Sequence, residues 1–497
     1  MKKSENQFAL SESSLGLVIL LFFAFILIFN DLWLPGLPSY DDCAKAEMGW
    51  EMLRTGDFVT TWLAGKENFD HPPFYNWSLA LSFRIFGKTE FAARFPGAFM
   101  AFFSVWAAFA LGRQIKNCNT GWWTAFFLTT SYMFLKLSRR VQSDIPFLLF
   151  TCLALIYFIK TLKAVEDKNS SKNLFLYFIL WGLFTGISGL TKSVFVIFPL
   201  FAPLLFLAFA GRGMRKKLFV PYLAGCAIAA ITTGWWYIYE LIKYKGFFIS
   251  SFIVSFVGGH VSGMSNLGRF GFMGYLYEFL RHFWLWLPLT LWAFYMIFRK
   301  RLLRKNIFLA VLLIHILFPL TVLSIFGDKT IRYVMFLFPP LLTLTAFTVD
   351  ARFDRKTIRK LSIIAIFFLL IVSSYILIRP VELSGWPNFD YCLLRDAINS
   401  GKLNPRDAEF HHYGEDYGIN QFPLLFYTGI NMKGVIYNEA ELGALILSGK
   451  RFFLIVKKDQ VTEYIRANFE AAVALEKRLV MKPNKNKAPE MAGKMEN

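Results

Sequence analysis

Several residue patterns that identify common enzyme classes are missing from this chain. Its five cysteines are scattered without a Cys-x-x-Cys pair, and none lies near the adjacent histidines His411 and His412, so we assign no zinc site. The sequence also lacks a Walker A motif, a Gly-x-Gly-x-x-Gly turn after a strand, and a nucleophile elbow. It therefore has no usual phosphate cradle for nucleotide-driven transport or nucleotide-sugar binding. The sequence neither supports nor excludes a disulfide between Cys43 and Cys392.

Acidic residues are the second shortage. The 497 residues include 34 Asp and Glu against 54 Lys and Arg, which gives a formal net charge of +20. Such an excess can indicate nucleic-acid binding, but here the cations lie in short clusters between apolar runs. This pattern is typical of membrane topology, so we expect membrane lipids and not nucleic acid as partners.

Apolar residues, in contrast, are abundant. Hydrophobic residues make up 56% of the chain, and many runs are long enough to cross a hydrocarbon core of roughly 30 Å. We predict about eleven helices, the first of which stays in the membrane because no small-residue cleavage site follows it. The apolar segments lie near residues 15–30, 96–112, 121–136, 145–160, 174–188, 193–210, 218–236, 281–298, 306–326, 333–349 and 361–379.

Basic clusters fall at every second junction between these segments. By the positive-inside rule these junctions and the N-terminus are cytoplasmic, in a multi-pass protein of the cell (inner) membrane. The loop of residues 31–95 then lies outside. Lys136, Arg139 and Arg140 break the charge rule at an outer junction, where a phosphate-bearing ligand would explain them.

The chain divides by hydropathy into three parts. Residues 1–379 are predicted to form the membrane domain and residues 380–481 a small extracytoplasmic α/β domain. In that domain we expect strands at 408–413 and 452–456 and helices at 438–448 and 461–469. Residues 482–497, rich in Lys, Asn, Pro and Glu, are predicted to be disordered.

The outer loop concentrates carboxylates over a length of chain that a simple connection does not need. Asp41 and Asp42 open a predicted amphipathic helix over residues 42–53, expected to lie in the membrane interface, and Glu47 follows on it. Acids at a helix start can simply cap it. A carboxylate at the boundary between water and lipid can alternatively act as general base toward an acceptor hydroxyl.

Further candidate site residues lie later in the chain. Asp70 and His71 precede two prolines, where a lone His is more often structural. Asp144 is the first residue of a predicted membrane helix. It could cap that helix, form an ion pair or belong to a phosphate site. The cations that could hold an anionic lipid headgroup, with membrane anchoring the simpler explanation for several of them, are Lys45, His71, Arg139, Arg140, Lys192, Lys329 and Arg332.

The first outer loop resembles the N-terminal signature of the ArnT-like and protein O-mannosyltransferase superfamily. The order and spacing of its segments make this resemblance specific, and it extends over nearly the whole chain. The segments are Tyr40-Asp-Asp through Glu47-Met, Gly56-Asp57, His71-Pro-Pro-Phe and Glu90-Phe-Ala-Ala-Arg-Phe-Pro96, followed by Ser143-Asp144, Leu190-Thr-Lys192 and residues 329–333.

The resemblance implies a mainly α-helical polytopic membrane protein with a GT-C-type helix bundle. Its implied activity is inverting transfer of a sugar from a polyprenyl-phosphate carrier to a lipid A, protein or glycan acceptor on the outer face. Asp41 and Asp144 would then be the catalytic carboxylates, and Asp42, Glu47 and Asp70 would support the acceptor. The cations named above would hold the donor phosphate. No cofactor is required, and a divalent metal is left open.

Two departures from the family pattern concern the donor headgroup. Ala44-Lys45 stands where aminoarabinose transferases have Arg-Tyr, and Asp70-His71 stands where they have Glu-Lys. Both differences argue against aminoarabinose as the sugar. The alternative function is a non-enzymatic translocase or transporter for a lipid-linked sugar, but we find no repeated halves with broken helices that would favour it.

Overall fold

The computed structural model describes residues 14–166, 173–257, 273–304, 306–325, 330–379, 388–406, 408–414 and 417–484. It is mainly helical, and each of the eleven predicted apolar segments contains a helix. Seven stretches in the described part are long and apolar enough to cross a membrane: Glu90–Ile115, Asp144–Val165, Leu174–Phe209, Arg212–Val254, Ile307–Ile325, Ile331–Arg352 and Arg355–Ile378. The predicted fold class, a polytopic helix bundle with a few strands near its C-terminus, is confirmed.

The helices up to residue 379 are numbered in chain order. They are α1 (Ser14–Phe29), α2 (Tyr40–Thr55), α3 (Phe74–Phe86), α4 (Glu90–Ile115), α5 (Cys118–Thr129), α6 (Tyr132–Ser138), α7 (Asp144–Glu166), α8 (Leu174–Lys192), α9 (Ile197–Phe209), α10 (Arg212–Phe248), α11 (Gly274–His282), α12 (Leu287–Arg299), α13 (Ile307–Ile325), α14 (Phe338–Arg352) and α15 (Arg355–Ile378). A 3₁₀ segment, Ile331–Leu337, leads into α14.

Helices α8 and α10 approach each other through small residues. Gly182 and Gly186 are four residues apart on one face of α8, and a Cβ at Gly182 would clash with the backbone oxygen of Gly225 on α10. Without a hydrophobic force between helices in lipid, such close backbone contact is a main source of association. This contact helps to position the end of α8, where Lys192 lies.

The loop after α1 forms an ordered layer on the bundle. Ser39 caps α2 by accepting a hydrogen bond from the Asp42 amide, and Gly56 ends the helix with φ 73°. A short antiparallel hairpin follows, β1 (Trp62–Leu63) and β2 (Lys66–Glu67). Helix α2 packs on α3, where Gly49 leaves room for Leu79. Since most of α2 is buried, it differs from the predicted helix lying on the membrane surface.

The C-terminal part is a small α/β unit. Its elements are α16 (Phe389–Asn399), β3 (Glu409–Tyr413), α17 (Tyr417–Thr428), β4 (Gly434–Ile436), α18 (Glu439–Leu447), β5 (Phe452–Lys457), α19 (Glu463–Asn468), β6 (Phe469–Ala474) and β7 (Arg478–Pro483). The sheet has the order β4-β3-β5-β7-β6, in which β3 pairs in parallel with β4 and β5 while β7 pairs antiparallel with β5 and β6. Strand β7 extends into the segment predicted to be disordered from residue 482, so that boundary was placed too early.

This unit contacts the outer-loop layer directly. Helix α17 packs on α2, the Leu37 amide donates a hydrogen bond to the Tyr427 hydroxyl at 2.7 Å, and the Asn388 side chain donates one to the Leu37 carbonyl at 2.8 Å. Cys43 and Cys392 lie in this contact as free, buried thiols. The C-terminal unit therefore supports the layer that carries Asp41.

Candidate active site

Adjacent carboxylates at the start of α2 have different surroundings. Successive residues of a helix point about 100° apart, so Asp41 and Asp42 face different neighbours. Asp42 is completely buried, whereas the Asp41 side chain keeps about a third of its exposure and pairs with Arg332 at 3.0 Å. Of the two acids, Asp41 is therefore the one that a substrate can reach.

Asp42 is held by a full set of hydrogen bonds. Its carboxylate accepts from the Arg140 Nε at 2.7 Å, the Val141 amide at 2.8 Å and the Ser39 hydroxyl at 2.6 Å. Arg140 also donates to Ser39 at 2.7 Å. A buried ion pair with satisfied lone pairs organises its surroundings, so Asp42 and Arg140 fix the start of α2 against the segment before α7.

Asp144, the first residue of α7, forms a buried ion pair with Lys192 at the end of α8. Two aromatic rings flank the Lys192 ammonium, with the centroids of Phe195 and Tyr333 at 4.5 and 4.8 Å. Arg332 lies over the same Tyr333 ring at 5.4 Å. The Asp144 pair and the Asp41 pair thus share Tyr333 as a neighbour.

Lys45 completes this group. It lies one helical turn after Asp41, is only 9% exposed, and makes no hydrogen bond or ion pair within the part of the chain that the structure describes. Burial lowers its pKa to about 8, the nearby Asp41 carboxylate opposes that shift, and the Arg332 charge adds to it. Asp144 and Asp70 also act on this ammonium. Lys45 is therefore a desolvated cation close to both pairs.

Two of the predicted site residues that the structure describes lie elsewhere. Arg139 pairs with Asp31 at 3.7 Å, and Glu47 pairs with Lys88 at 2.7 Å. Lys88 also lies over the rings of Trp50 and Phe426, so Glu47 belongs to the contact with α17. Lys329 lies outside the described residues. The structure therefore does not bring Arg139 and Glu47 to Asp41.

Asp70 lies near this group, and His71 is its neighbour in sequence. Asp70 accepts a hydrogen bond from the side-chain amide of Asn68 at 3.1 Å, and its charge acts on Lys45. His71 is half-buried between Asp70 and the prolines that precede α3. Both remain candidates for contact with the donor.

Gln142 and Tyr333 were not predicted from the sequence. Gln142 is buried and accepts from Arg332 at 3.5 Å while donating to Asp42 at 3.5 Å, so it connects the Asp41 and Asp42 pairs. Its position between Arg140 and Asp144 was the available signal. Tyr333 directly follows Arg332, but an aromatic residue at a membrane boundary is too common to identify a site.

The charge balance indicates what the group can bind. Lys45, Lys192 and Arg332 supply three cations close to the carboxylates of Asp41 and Asp144, and the charge of Asp70 also acts on Lys45. The buried cations Lys45 and Lys192 favour an anionic ligand, and the partly exposed Asp41 can accept a proton next to it. Within the described ranges, no three His, Cys, Asp or Glu residues lie together as a metal site.

Comparisons with known proteins find similarity in sequence and in fold. Residues 70–238 match the profile of the dolichyl-phosphate-mannose-protein mannosyltransferase family. An uncharacterized protein of Aquifex aeolicus is 26% identical over 395 residues, covering 79% of this chain and 74% of its own length. The undecaprenyl phosphate-alpha-4-amino-4-deoxy-L-arabinose arabinosyl transferase of Yersinia enterocolitica is 30% identical over 192 residues, which cover 37% of this chain and only 32% of that enzyme.

The fold is also shared with a solved structure. ArnT from Cupriavidus metallidurans, crystallised with undecaprenyl phosphate, superposes with a TM-score of 0.72 at 15% identity, over 95% of this chain and 99% of that one. At this identity the similarity establishes the fold. Taken with the sequence matches, it makes this chain similar to the ArnT-like glycosyltransferases, whose GT-C fold it shares.

Proposed function

We propose that the protein is an integral membrane inverting glycosyltransferase that moves a sugar from a polyprenyl-phosphate carrier to an acceptor on the outer face. The observation that carries this proposal is the Asp41–Arg332 pair, with Lys45, Lys192 and Asp144 around it. It combines a reachable carboxylate and a partly exposed arginine with two buried cations, Lys45 and Lys192. The names of the arabinosyl transferase relative and of the ArnT complex support a polyprenyl phosphate as the carrier.

The chemistry follows from this charge arrangement. An acceptor hydroxyl attacks the anomeric carbon, the bond from that carbon to the phosphate oxygen breaks, and the hydroxyl proton passes to Asp41. The leaving polyprenyl phosphate gains negative charge, which Arg332, Lys192 and Lys45 stabilise without further reorganisation. Because attack and departure occur on opposite faces of the sugar, the configuration inverts.

Asp144 positions the donor side of the site in this proposal. Its ion pair holds Lys192 between two aromatic rings, so the ammonium keeps one orientation. The acceptor is a lipid A, protein or glycan hydroxyl, and the sugar is one other than aminoarabinose. The catalytic group is placed on the outer side of the inner membrane by the positive-inside pattern.

The Asp41→Asn substitution tests the proposal. Removing a general base typically lowers the rate by about 10² to 10⁴-fold, so we expect kcat/KM for transfer to fall in that range. Asp396→Asn is the matched control, because Asp396 lies on α16 with 62% of its side chain exposed. It should transfer at the rate of the unmodified protein.

The substrates for this assay are identified by mass spectrometry. Lipid A, glycoproteins and surface glycans of a deletion strain are compared with those of strains that carry the protein or its Asp41→Asn variant. A sugar lost in both the deletion and Asp41→Asn strains, and restored by Asp396→Asn, identifies the reaction. Normal transfer by a folded Asp41→Asn protein would remove Asp41 from the mechanism.

A further inference from the structure

A second group of charges lies where α1 and α15 end. Asp31 follows α1 with φ 66°, and its Oδ2 atom faces two guanidinium groups, Arg379 at 2.5 Å and Arg139 at 3.7 Å. Arg379 comes directly after α15, and Arg139 follows α6. Three separate segments of the chain therefore converge on one carboxylate oxygen.

The positive charge in this group exceeds the negative charge. A third guanidinium, that of Arg94, is buried nearby and donates to the carbonyls of Leu32, Leu34 and Gly36. These neutral acceptors satisfy its hydrogen bonds, and the Glu90 and Asp42 carboxylates act on its charge. Around Asp31 itself, the two cations Arg139 and Arg379 share a single carboxylate.

Arg139 is short of acceptors. Its guanidinium has five N–H donors, yet it makes no hydrogen bond within the described ranges, and its ion pair with Asp31 is long. Burial lowers its pKa, Asp31 opposes that shift, and the charges of Arg379 and Arg94 add to it. The Arg139 side chain is 24% exposed, and such a partly buried cation beside another is stabilised by an anion with several oxygens.

The surroundings indicate where that anion comes from. Helices α1 and α15 end here, and exposed apolar side chains lie close in sequence: Trp33 is 62%, Tyr375 67% and Ile378 80% exposed. Arg140, next to Arg139, pairs with Asp42, so the group lies at the same end of the bundle as Asp41. An apolar surface beside a cationic group at a helix end suits a lipid headgroup.

We propose that Asp31, Arg139 and Arg379 form a binding site for the phosphate group of an anionic membrane lipid, separate from the group around Asp41 and Arg332. The two guanidinium groups hold the phosphate oxygens, and Asp31 competes with the phosphate by pairing with them when no lipid is bound. This site does not depend on the proposed sugar transfer. Its presence would give the protein a bound lipid at the same end of the bundle as Asp41.

Native mass spectrometry of the detergent-solubilised protein tests the proposal without any turnover. Phosphatidylglycerol is titrated against the full chain, with zwitterionic phosphatidylcholine as the comparison lipid. We expect selective retention of phosphatidylglycerol, weakened about fivefold by Arg139→Gln or by Arg379→Gln, since each cation near a membrane surface contributes about 1 kcal/mol. Equal retention by these variants and the unmodified protein would overturn the site.

Arg352→Gln is the matched control, because it removes the same charge from an exposed position at the end of α14. It should retain phosphatidylglycerol normally, and an equal loss in this variant would show that only total charge matters. Inorganic phosphate, added at constant ionic strength, should not displace the lipid. Displacement would assign the site to free phosphate and overturn the lipid assignment.

Asp31→Asn distinguishes an anion site from a purely structural ion pair. Asn tolerates the positive φ at this position, so the turn keeps its conformation. Losing the competing carboxylate should strengthen phosphatidylglycerol retention about fivefold. Weaker retention, with an unchanged melting temperature, would show that Asp31 is needed to build the arginine pair and would contradict the proposal.

Discussion

Three charged residues near the start of α2 have different surroundings. Asp41, Asp42 and Lys45 are near neighbours in sequence, yet Asp42 is enclosed by hydrogen bonds, Asp41 stays reachable and Lys45 is buried without an acceptor among the described residues. The direction in which each side chain leaves the helix decides this difference. Lys45 changes its charge within an accessible pH range, because burial lowers its pKa to about 8.

The pH dependence of donor use should follow Lys45. Since burial lowers its pKa to about 8, the ammonium is charged below that pH and neutral above it. If its charge holds the donor phosphate, kcat/KM for the donor declines above pH 8, to about a tenth of its plateau at pH 9. In Lys45→Arg the guanidinium stays charged, so the decline should disappear even if the plateau is lower. An equally steep decline in this variant would assign the titration to another group.

Whole helices are positioned by small residues. The glycines of α8 let its backbone approach α10, and the last residue of α8 is Lys192. In the outer loop, Gly49 has the same role between α2 and α3. The elements that carry Asp41 and Lys192 therefore both depend on positions where a side chain would not fit.

Gly182→Ala should destabilise the bundle. Its added methyl group clashes with the backbone of Gly225, and overpacking of this kind typically costs about 1 to 3 kcal/mol. Gly234→Ala on α10 is the control, because no atom lies within 4 Å of a Cβ placed there. We expect a lower melting temperature in detergent for Gly182→Ala and an unchanged or higher one for Gly234→Ala. Equal melting temperatures would contradict the close contact between α8 and α10.

At the scale of the whole molecule, the C-terminal unit is joined to the outer loop by buried polar contacts. The Tyr427 hydroxyl accepts from the buried Leu37 amide, and Lys88 connects Glu47 of α2 with the ring of Phe426 on α17. The sequence predicted a separate domain after residue 379. Its packing on α2 means that it also determines how firmly α2 is held.

Tyr427→Phe should loosen this contact. A buried amide left without its acceptor costs about 1 to 3 kcal/mol, so the melting temperature should fall and limited proteolysis after residue 379 should become faster. Tyr437→Phe removes the same hydroxyl from a side chain that is 63% exposed, and it should have no effect. Identical proteolysis of the two variants would show that the Leu37 hydrogen bond does not secure the C-terminal unit.

Part of the candidate site could be predicted from the sequence because it is local. Asp41, Lys45 and Asp70 lie in one loop, whose order of segments around Asp41 and the two prolines carries the family resemblance. The pairings could not be predicted. Arg139 and Arg140 are adjacent but turn to different carboxylates, Asp31 and Asp42, and nothing in the sequence distinguishes them. Gln142 was missed because an uncharged amide has no signal of its own.

The amino-acid sequence by itself determined that this is a polytopic membrane protein with a C-terminal α/β part, and its resemblance to a known family implied the GT-C-type bundle. Apolar runs, basic junctions and strand patterns are properties of short segments, and they persist in any arrangement of the helices. Only the tertiary structure decided which cation meets which acid. Arg332 reaches Asp41, and Lys192 reaches Asp144, across long stretches of chain. Such contacts depend on how the helices pack. The sequence shows that a Lys or Arg is present at a position, but not which carboxylate it meets in the folded protein.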